Sequence, residues 1–381
     1  MLADQTPAWE QKYIQLQQQR NDVFIQLENL HSALIPRVKD EDPALLTRLS
    51  LDPPEARRTG YGLLPLLKEN EAPMVVEPTQ TFYSLKWLEE RLFAELQNAN
   101  ELYAQLENST DLEDLVIRFE EALKRLRNLE DNLTYHAKWQ KAVVRYPAYY
   151  RNKNELVAMA RELGSLMASG APSSQVTELR RQLLERAAPF KPTRDLQVTT
   201  GANGEMVLPV TVCTDIEDSH FLQAFQDGVN EAFGLSSAAL TNQFSVELNW
   251  QRISIESLYP DGVPDRGSHI DMNAHYALFT GCPLVLTTGA TSLNAGVGSR
   301  IFLGTSPVSS RTLAHEFGHL LGFEDAYLRG YDGEPSDPYG VVIVEWTGLS
   351  SDLMGDSAHG QVGHEMINKL IDMYDDPLSS K

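Results

Sequence analysis

Apolar side chains recur at helical spacing through the first half of the chain. Between Trp9 and Leu34 they fall on one side of a helix, and Pro36 is expected to end that helix because its ring clashes with the preceding turn. The pattern predicts helices over 7–35, 83–106, 110–145, 152–168 and 174–187. We therefore expect residues 1–190 to form an all-α bundle of four or five helices. A helical hairpin used for dimerisation fits the same pattern.

The pattern changes after Pro189 and Pro192, where short alternating or continuous apolar runs replace the helical periodicity. These runs predict strands over 206–212, 244–255, 283–288 and 300–304, with a helix over 219–233 between the first two. Strands interleaved with helices indicate a mixed sheet with backing helices. The whole chain is thus predicted to be a multidomain α+β protein with a second domain over 191–381.

Charge also separates the two parts of the chain. Residues 195–381 carry 7 Lys and Arg against 25 Asp and Glu, a net charge of −18, and the whole chain carries −21. This acidic excess argues against nucleic acid and anionic membranes as partners. No apolar run approaches the roughly 18 residues of a membrane span. Solubility, calcium sites or a cationic substrate would each explain the acidic part, and the candidate calcium turns are 259–262 and 332–337.

The two cysteines, Cys213 and Cys282, lie 69 residues apart in the acidic part. They fit either one disulfide in an oxidising compartment or two buried free thiols. The first residues lack the apolar run of a signal peptide. We expect a secreted or periplasmic protein whose signal peptide is absent from this sequence.

The strongest chemical signal is the run His315-Glu316-Phe317-Gly318-His319. Residues i and i+4 lie on one face of a helix, so both imidazoles can bind one metal ion. Glu316 then projects beside the ion and can take a proton from a water molecule. The run is therefore a candidate metal-dependent catalytic motif, provided that the segment is helical.

The residues after this run supply a candidate third ligand. Gly322 can end the helix, because glycine adopts the left-handed C-cap conformation without a Cβ penalty. The chain then reverses, and Asp325, ten residues after His315, can reach the metal. Two histidines and one carboxylate leave one position open, which is typical of catalytic rather than structural zinc. Glu324 is the alternative carboxylate, and the spacing favours Asp325.

The full pattern, His-Glu-x-x-His-x-x-Gly-x-x-Asp, resembles the signature of the metzincin zinc endopeptidases. With Asp in the third position it is most similar to the snapalysin-type branch. The resemblance covers about 195–381 and implies an α/β protease domain with a mixed sheet, an active-site helix and a C-terminal helix, here at 362–374. It also implies a Met-turn beneath the metal, and Met354 in the 351–355 segment matches it.

By this resemblance His315, His319 and Asp325 are the zinc ligands, and Glu316 is the general base and acid. One departure concerns Asp356, which stands where some metzincins carry a tyrosine two residues after the methionine. Three other tyrosines are candidates for its role: Tyr327, Tyr331 and Tyr339.

The implied activity is zinc-dependent hydrolysis of peptide bonds in extended protein substrates. Zinc polarises the scissile carbonyl, and Glu316 passes a proton from water to the leaving amine. An edge strand within 290–298 is the expected seat of the substrate backbone, because an extended peptide can add a strand to a sheet edge.

The sequence is also compatible with other functions. The metal site would also serve a metal-dependent hydrolase of a non-protein amide, or a gluzincin-type site in which Glu345 or Glu365 is the third ligand. A scaffold protein acting through its helical part is a further alternative. That part is either a pro-domain that blocks the cleft or a domain that recognises a substrate, a partner or a second copy. Residues 1–194 contain no cysteine, which excludes a cysteine-switch latch.

Overall fold

The computed structural model describes residues 6–51, 60–72, 80–106, 109, 111–201, 204–234, 244–346 and 351–375. The helices within them are Ala8–Glu41 (α1), Leu85–Gln105 (α2), Leu112–Arg145 (α3), Pro147–Ala168 (α4), Ser173–Ala187 (α5), Ser219–Phe233 (α6), Ile255–Leu258 (α7), Met272–Ala277 (α8), Ser310–Leu320 (α9) and His364–Tyr374 (α10). The strands are Leu67–Lys68 (β1), Gln80–Tyr83 (β2), Thr199–Thr200 (β3), Met206–Thr214 (β4), Phe244–Arg252 (β5), Val285–Thr288 (β6), Asn294–Gly296 (β7), Arg300–Leu303 (β8), Val308–Ser309 (β9), Leu328–Asp332 (β10) and Val342–Trp346 (β11). No helix in these ranges is long and apolar enough to cross a membrane.

The chain divides into two units. The first consists of 1–53, 80–161 and 329–346, and the second of 54–79, 162–328 and 347–381. The predicted domain boundary near residue 190 lies inside the second unit. Residues 329–346, which the sequence pattern placed in the C-terminal domain, belong to the first unit.

The first unit has a helical core in which α1, α2 and α3 pack side by side. The side chains with helical spacing meet there and are almost completely buried: Leu16, Leu27, Leu30, Leu34, Leu88, Leu92 and Phe119. Each fully buried apolar side chain of this size contributes about 1.5–3 kcal/mol. The predicted N-terminal helical region is confirmed.

The first helix is longer than the sequence pattern predicts. It continues through Pro36 to Glu41, although proline removes one backbone hydrogen bond. Leu34 and Val38 on either side of the proline are both fully buried in the helical core. This burial on both flanks favours continuation of the helix and offsets the lost bond.

A three-stranded sheet of order β10-β11-β2 completes the first unit. β11 is antiparallel to β2, with Ile343 opposite Tyr83. The chain just before β11 is held by two buried polar side chains of α3. Gln140 Oε1 accepts from the Val341 N–H at 2.7 Å, and His136 Nε2 donates to the Val341 carbonyl at 2.6 Å. Pairing over such sequence distances explains why 329–346 leaves the C-terminal region and joins the helices.

The buried His136 makes the stability of the first unit dependent on pH. Burial lowers the pKa of His136 from its ordinary value of 6.5, against the opposing effect of its bond to Val341. Below about pH 6.5 the unfolded chain binds a proton that the buried ring does not, so stability falls as the pH falls. We expect the loss of Tm between about pH 7 and pH 5 to be smaller in His136→Gln than in the natural protein. Equal losses in thermal unfolding at the two pH values would contradict this.

The second unit is built on a mixed six-stranded sheet. β4 runs parallel to β5 along its whole length, and β6 and β8 continue the parallel part on its other side. β7 then adds an antiparallel strand at the edge, and β3 pairs antiparallel with the start of β4. The predicted mixed sheet is confirmed.

Helix α9, which carries the His-Glu-x-x-His run, packs against α6. Phe317 makes edge-to-face contacts with Phe225 and Phe233, with ring centroids 6.3 and 5.8 Å apart. A Cβ on Gly228 would lie 2.4 Å from the Ser310 carbonyl oxygen, so the two helices approach at a position that only glycine fits. The packing fixes α9 in the second unit.

Residues 60–72 belong to the second unit. The Leu66 carbonyl accepts from the Val308 N–H at 2.7 Å, and β1 runs parallel to β9. Asn70 Oδ1 then accepts from the Arg311 N–H at 3.1 Å at the start of α9. The segment therefore supports the first turn of α9.

The two cysteines form a disulfide. Cys213 lies near the end of β4 and Cys282 precedes β6, with their Cα atoms 6.0 Å apart. Cys213 is fully buried and packs with Leu258, Phe279 and Val285. Of the two alternatives that the sequence left open, the structure has the disulfide.

Candidate metal centre and active site

The helix that carries the candidate ligands is defined at both ends by local chemistry. At its start the Ser309 side chain accepts from the Thr312 N–H at 3.2 Å. At its end Gly322 has a positive φ of 104°, as the sequence predicts for a glycine that terminates a helix. The Lys191 N–H donates to the Gly322 carbonyl at 2.8 Å, which fixes the reversal of the chain.

This reversal brings Asp325 to the two histidines. Asp325 Oδ1 lies 3.3 Å from the Nε2 atom of His315 and 3.3 Å from that of His319. The three ligand atoms all lie within 4.8 Å of one another. Within the described ranges this is the one group of three or more His, Cys, Asp or Glu side chains that could hold a metal ion.

Hydrogen bonds on the far side of each ring fix the tautomers of the histidines. His315 Nδ1 lies 2.8 Å from the Leu353 carbonyl, and His319 Nδ1 lies 2.8 Å from the Phe323 carbonyl. A carbonyl oxygen only accepts, so each Nδ1 carries a proton and each ring turns its Nε2 atom toward Asp325. Orientation of ligand imidazoles by such outer hydrogen bonds is usual at metal sites.

The resulting cluster gathers three ligand atoms around one point. Two imidazole Nε2 atoms face the buried Asp325 Oδ1, and that oxygen has no hydrogen-bond partner among the described residues. Burial raises the pKa of Asp325, but its contacts with His315 and His319 outweigh burial and hold the pKa below its usual range. Burial lowers the pKa of His319, and Asp325 reverses this and raises it. A cation between the three atoms satisfies all of them.

Glu316 lies beside this cluster on the same helix. Burial raises its pKa, and the Asp325 charge acts in the same direction, whereas His315 and His319 oppose the shift. A carboxylate with a raised pKa is a stronger base than an exposed one. The arrangement therefore combines three ligand atoms with a base next to them.

Met354, the residue matched to a Met-turn, packs against the helix that carries the two histidines. A Cβ on Gly318 would lie 2.5 Å from Met354 Sδ, so the thioether packs directly on the helix backbone between the histidines. The Met354 carbonyl accepts from the Ala326 N–H at 2.9 Å, next to Asp325. The turn thus contacts the His315 ring through Leu353 and the segment that carries Asp325 through Met354.

The other candidate residues lie elsewhere or play other parts. Glu324 forms an ion pair with Lys191, so Asp325 and not Glu324 reaches the imidazoles. Tyr327 lies close enough to Asp325 for its side chain to help lower the pKa of that carboxyl. Tyr331, Tyr339 and Glu345 belong to the first unit. In that unit Glu345 accepts from Arg329 and Tyr339 donates to Glu89.

His359, which follows Met354 in the chain, and Asp332 also have defined side-chain partners. His359 Nδ1 lies 3.0 Å from Asp356 Oδ2, and its Nε2 lies 3.4 Å from Glu71. Asp332, in one candidate calcium turn, forms an ion pair with Arg161 at 2.8 Å. Neither candidate calcium turn forms a group of three ligand side chains within the described ranges.

The predicted substrate edge lies next to the ligand helix. β7 is the outermost strand of the sheet, antiparallel to β8. The Gly298 N–H, just after β7, donates to the His319 carbonyl at 2.9 Å. The edge strand is therefore attached to the end of the helix that carries the candidate ligands.

Sequence reasoning missed the residues that brace the site from a distance. Asn70 contacts the first turn of α9, and Lys191 and Thr193 contact its last turn and the glycine after it. These residues lie more than a hundred positions from α9 in the chain, and no local spacing marks them. Their contacts with α9 become visible only in the folded chain.

Replacing Gly322 is expected to disturb the turn that delivers Asp325. In Gly322→Ala the new Cβ would lie 2.3 Å from the Lys191 carbonyl oxygen, at a φ of 104°. Backbone strain alone costs about 1–3 kcal/mol, and the clash adds to it. Gly281→Ala is the matched control, because Gly281 has a φ of 78° but nothing within 4 Å of the new Cβ. Urea unfolding that shows equal losses for both variants would contradict the argument.

Comparisons with known proteins add no functional assignment. No protein-family model, no curated protein and no solved structure matches the chain. The arrangement of His315, His319 and Asp325 is thus the main indication of function in the chain.

Proposed function

We propose that the chain is a metzincin-type, zinc-dependent endopeptidase whose active site is the cluster of His315, His319 and Asp325 with Glu316. One observation carries the proposal. Two imidazole Nε2 atoms converge on a buried carboxylate oxygen that has no hydrogen-bond partner among the described residues. With a cation between them, both nitrogens and that oxygen would be satisfied at once.

The donor set supports zinc as that cation. Two imidazole nitrogens and one carboxylate oxygen suit a borderline metal, whereas calcium and magnesium prefer oxygen ligands throughout. Three protein ligands leave a fourth position for a reactant, as in catalytic zinc sites. His315, His319 and Asp325 would hold the ion.

Glu316 performs the proton transfers of the proposed reaction. Zinc, when bound, supplies a Lewis acid that polarises the scissile carbonyl. The oxygen of the attacking water forms a bond to the carbonyl carbon, while the Glu316 carboxylate takes a proton from that water. The carbon–nitrogen bond then breaks, and Glu316 delivers the proton to the leaving amine. The raised pKa of Glu316 favours both steps.

An extended peptide is the substrate that the edge of the sheet favours. β7 has no strand on its outer side within the described residues, so its free backbone groups can pair with a peptide. Its contact with the end of α9 would bring such a peptide to the ligand cluster. Carbohydrate or nucleic acid offers no comparable ladder of amide groups.

A secreted or periplasmic location belongs to the same proposal. The Cys213–Cys282 disulfide supports it, because such bonds persist in oxidising compartments. The helical core of the first unit would serve as a recognition or inhibitory part of the protease.

Digestion of a mixed peptide library by the purified chain tests the proposal. We expect cleavage that a chelator stops and that added zinc restores. Hydrolysis of simple amides without cleavage of any peptide would instead identify a hydrolase of non-protein amides. Peptide cleavage that persists after complete metal removal would contradict the proposal.

A further inference from the structure

A cavity of about 360 Å³ opens in the second unit at the carboxyl ends of β4 and β6. Asp215 follows β4 directly, Thr288 is the last residue of β6, and both line the cavity. Tyr61 and Gly62, from the 60–72 segment of the same unit, line the cavity as well. Ligands of sheets with parallel strands commonly bind at the carboxyl ends of those strands.

The Asp215 carboxylate is buried, and only one of its two oxygens has a hydrogen-bond partner among the described residues. Its side chain is 2% exposed. The Tyr61 hydroxyl donates to Oδ2 at 2.7 Å, and His275 Nε2 lies 3.4 Å from the same oxygen. The other oxygen, Oδ1, is buried with no hydrogen-bond partner among the described residues. Buried acceptors without partners are rare, so this oxygen indicates a missing donor.

The polar groups around Asp215 donate their hydrogen bonds elsewhere and none of them reaches Oδ1. His275 is itself committed on both nitrogens, with Nδ1 2.6 Å from the Tyr259 hydroxyl and Nε2 2.8 Å from Thr287 Oγ1. Tyr259 also stacks on the His275 ring, with centroids 5.6 Å apart. The Gly62 N–H is occupied by Thr288 Oγ1 at 2.7 Å. None of these donors therefore serves Asp215 Oδ1.

The wall of the cavity combines negative charge with apolar surface. The lining includes three acidic residues, Asp215, Glu217 and Asp218, and one arginine, Arg266, so the charged residues described there carry a net charge of −2. The remaining surface is mostly apolar and includes Leu64, Ile255 and Val263.

An organic cation fits this lining better than a metal ion does. The three carboxylates do not form a group able to hold a metal among the described residues. The apolar wall matches an alkyl stem, which a bare ion lacks. A volume of this size lies in the range of small-molecule sites, roughly 300–1,000 Å³.

We propose that this cavity binds a primary ammonium group on a short alkyl chain, with an ammonium N–H donating to the Asp215 carboxylate and the stem lying against Ile255 and Val263. The cavity shares no lining residue with the metal centre. Binding of the ammonium group therefore requires neither zinc nor peptide hydrolysis. A free alkylamine and the side chain of a lysine residue share this chemistry.

Calorimetric titration of the full chain tests the proposal. The probes are n-butylammonium for the free amine and N-acetyl-lysine methylamide for a lysine within a peptide, and N-acetyl-norleucine methylamide is the neutral control. We expect at least one cationic probe to bind, and about tenfold or more tighter than norleucine, because a hydrogen bond to a charged group is lost in the control. Binding of only one cation identifies the source of the ammonium group. Equal binding of norleucine, or binding of no probe, would overturn the proposal.

Variants assign the binding to this cavity. Asp215→Asn removes the charge with little change in shape, and we expect it to weaken binding about tenfold or more. Asp261→Asn removes the same charge from an exposed turn of the same unit that does not line the cavity, and its affinity should match the natural protein. Val263→Phe narrows the cavity without touching the buried network, so it decides the question if Asp215→Asn does not fold. Unchanged affinity in a folded Asp215→Asn, or in Val263→Phe, would overturn the proposal.

Discussion

Replacing Glu316 by glutamine is expected to lower kcat/KM for peptide cleavage by about 10²- to 10⁴-fold, the range typical of a lost general base. Glutamine keeps the size and polarity of the side chain but cannot take a proton from water. Since Glu316 is not among the three ligand side chains, zinc content should stay unchanged. The combination of retained metal and lost turnover separates a catalytic role from a structural one.

Glu324→Gln is the control for this variant. It makes the same chemical change in the turn after α9, where Glu324 pairs with Lys191 rather than with the imidazoles. We expect its kcat/KM to stay within about threefold, because a partly exposed ion pair contributes little. Equal activities of Glu316→Gln and Glu324→Gln would contradict the role assigned to Glu316.

Loss of the disulfide is expected to lower the free energy of unfolding of the second unit by about 4 kcal/mol. The bond closes a loop between residues 69 apart, and in the chain-entropy view this restricts the unfolded state. The double variant Cys213→Ala with Cys282→Ala removes it and keeps the buried positions apolar. Urea unfolding followed by tryptophan fluorescence measures the change.

Reduction of the natural protein provides the matching experiment. We expect a reductant to lower the urea midpoint of the natural protein toward that of the double variant and to leave the variant itself unchanged. A double variant as stable as the oxidised natural protein would show that the bond contributes nothing to stability.

Local patterns predicted most of the regular structure, because helices and strands are set by the spacing of apolar residues. The helical region and the mixed sheet follow that spacing. Pro36 was the exception, since burial of Leu34 and Val38 on both sides outweighs the local effect of a proline. Tertiary packing of this kind is invisible in the pattern of one segment.

The division of the chain followed contacts that no local pattern records. Residues 329–346 pair with β2 and contact α3, and residues 60–72 pair with β9. Both pairings join segments more than 200 positions apart. The single boundary expected near residue 190 reflected composition, which says nothing about such pairing.

The sequence predicted the residues of the candidate site but not the hydrogen bonds that orient them. Spacing on one helix and a glycine after it were enough to bring His315, His319 and Asp325 together. The carbonyl groups that fix the two tautomers come from Leu353 and Phe323, and a backbone carbonyl has no sequence signature. The buried Asp215 was not predicted for a related reason. Its burial depends on neighbours from four segments of the chain, and no local pattern brings these together.

The most direct test of the metal centre is its zinc stoichiometry. The full chain is dialysed against zinc, freed of excess metal and analysed by mass spectrometry, alongside His315→Ala, His319→Ala and the exposed control His220→Ala. We predict one zinc ion per natural chain and per His220→Ala chain, with tightly bound zinc lost from the other two. A natural chain that retains no zinc, or ligand variants that retain as much as the control, would contradict the account.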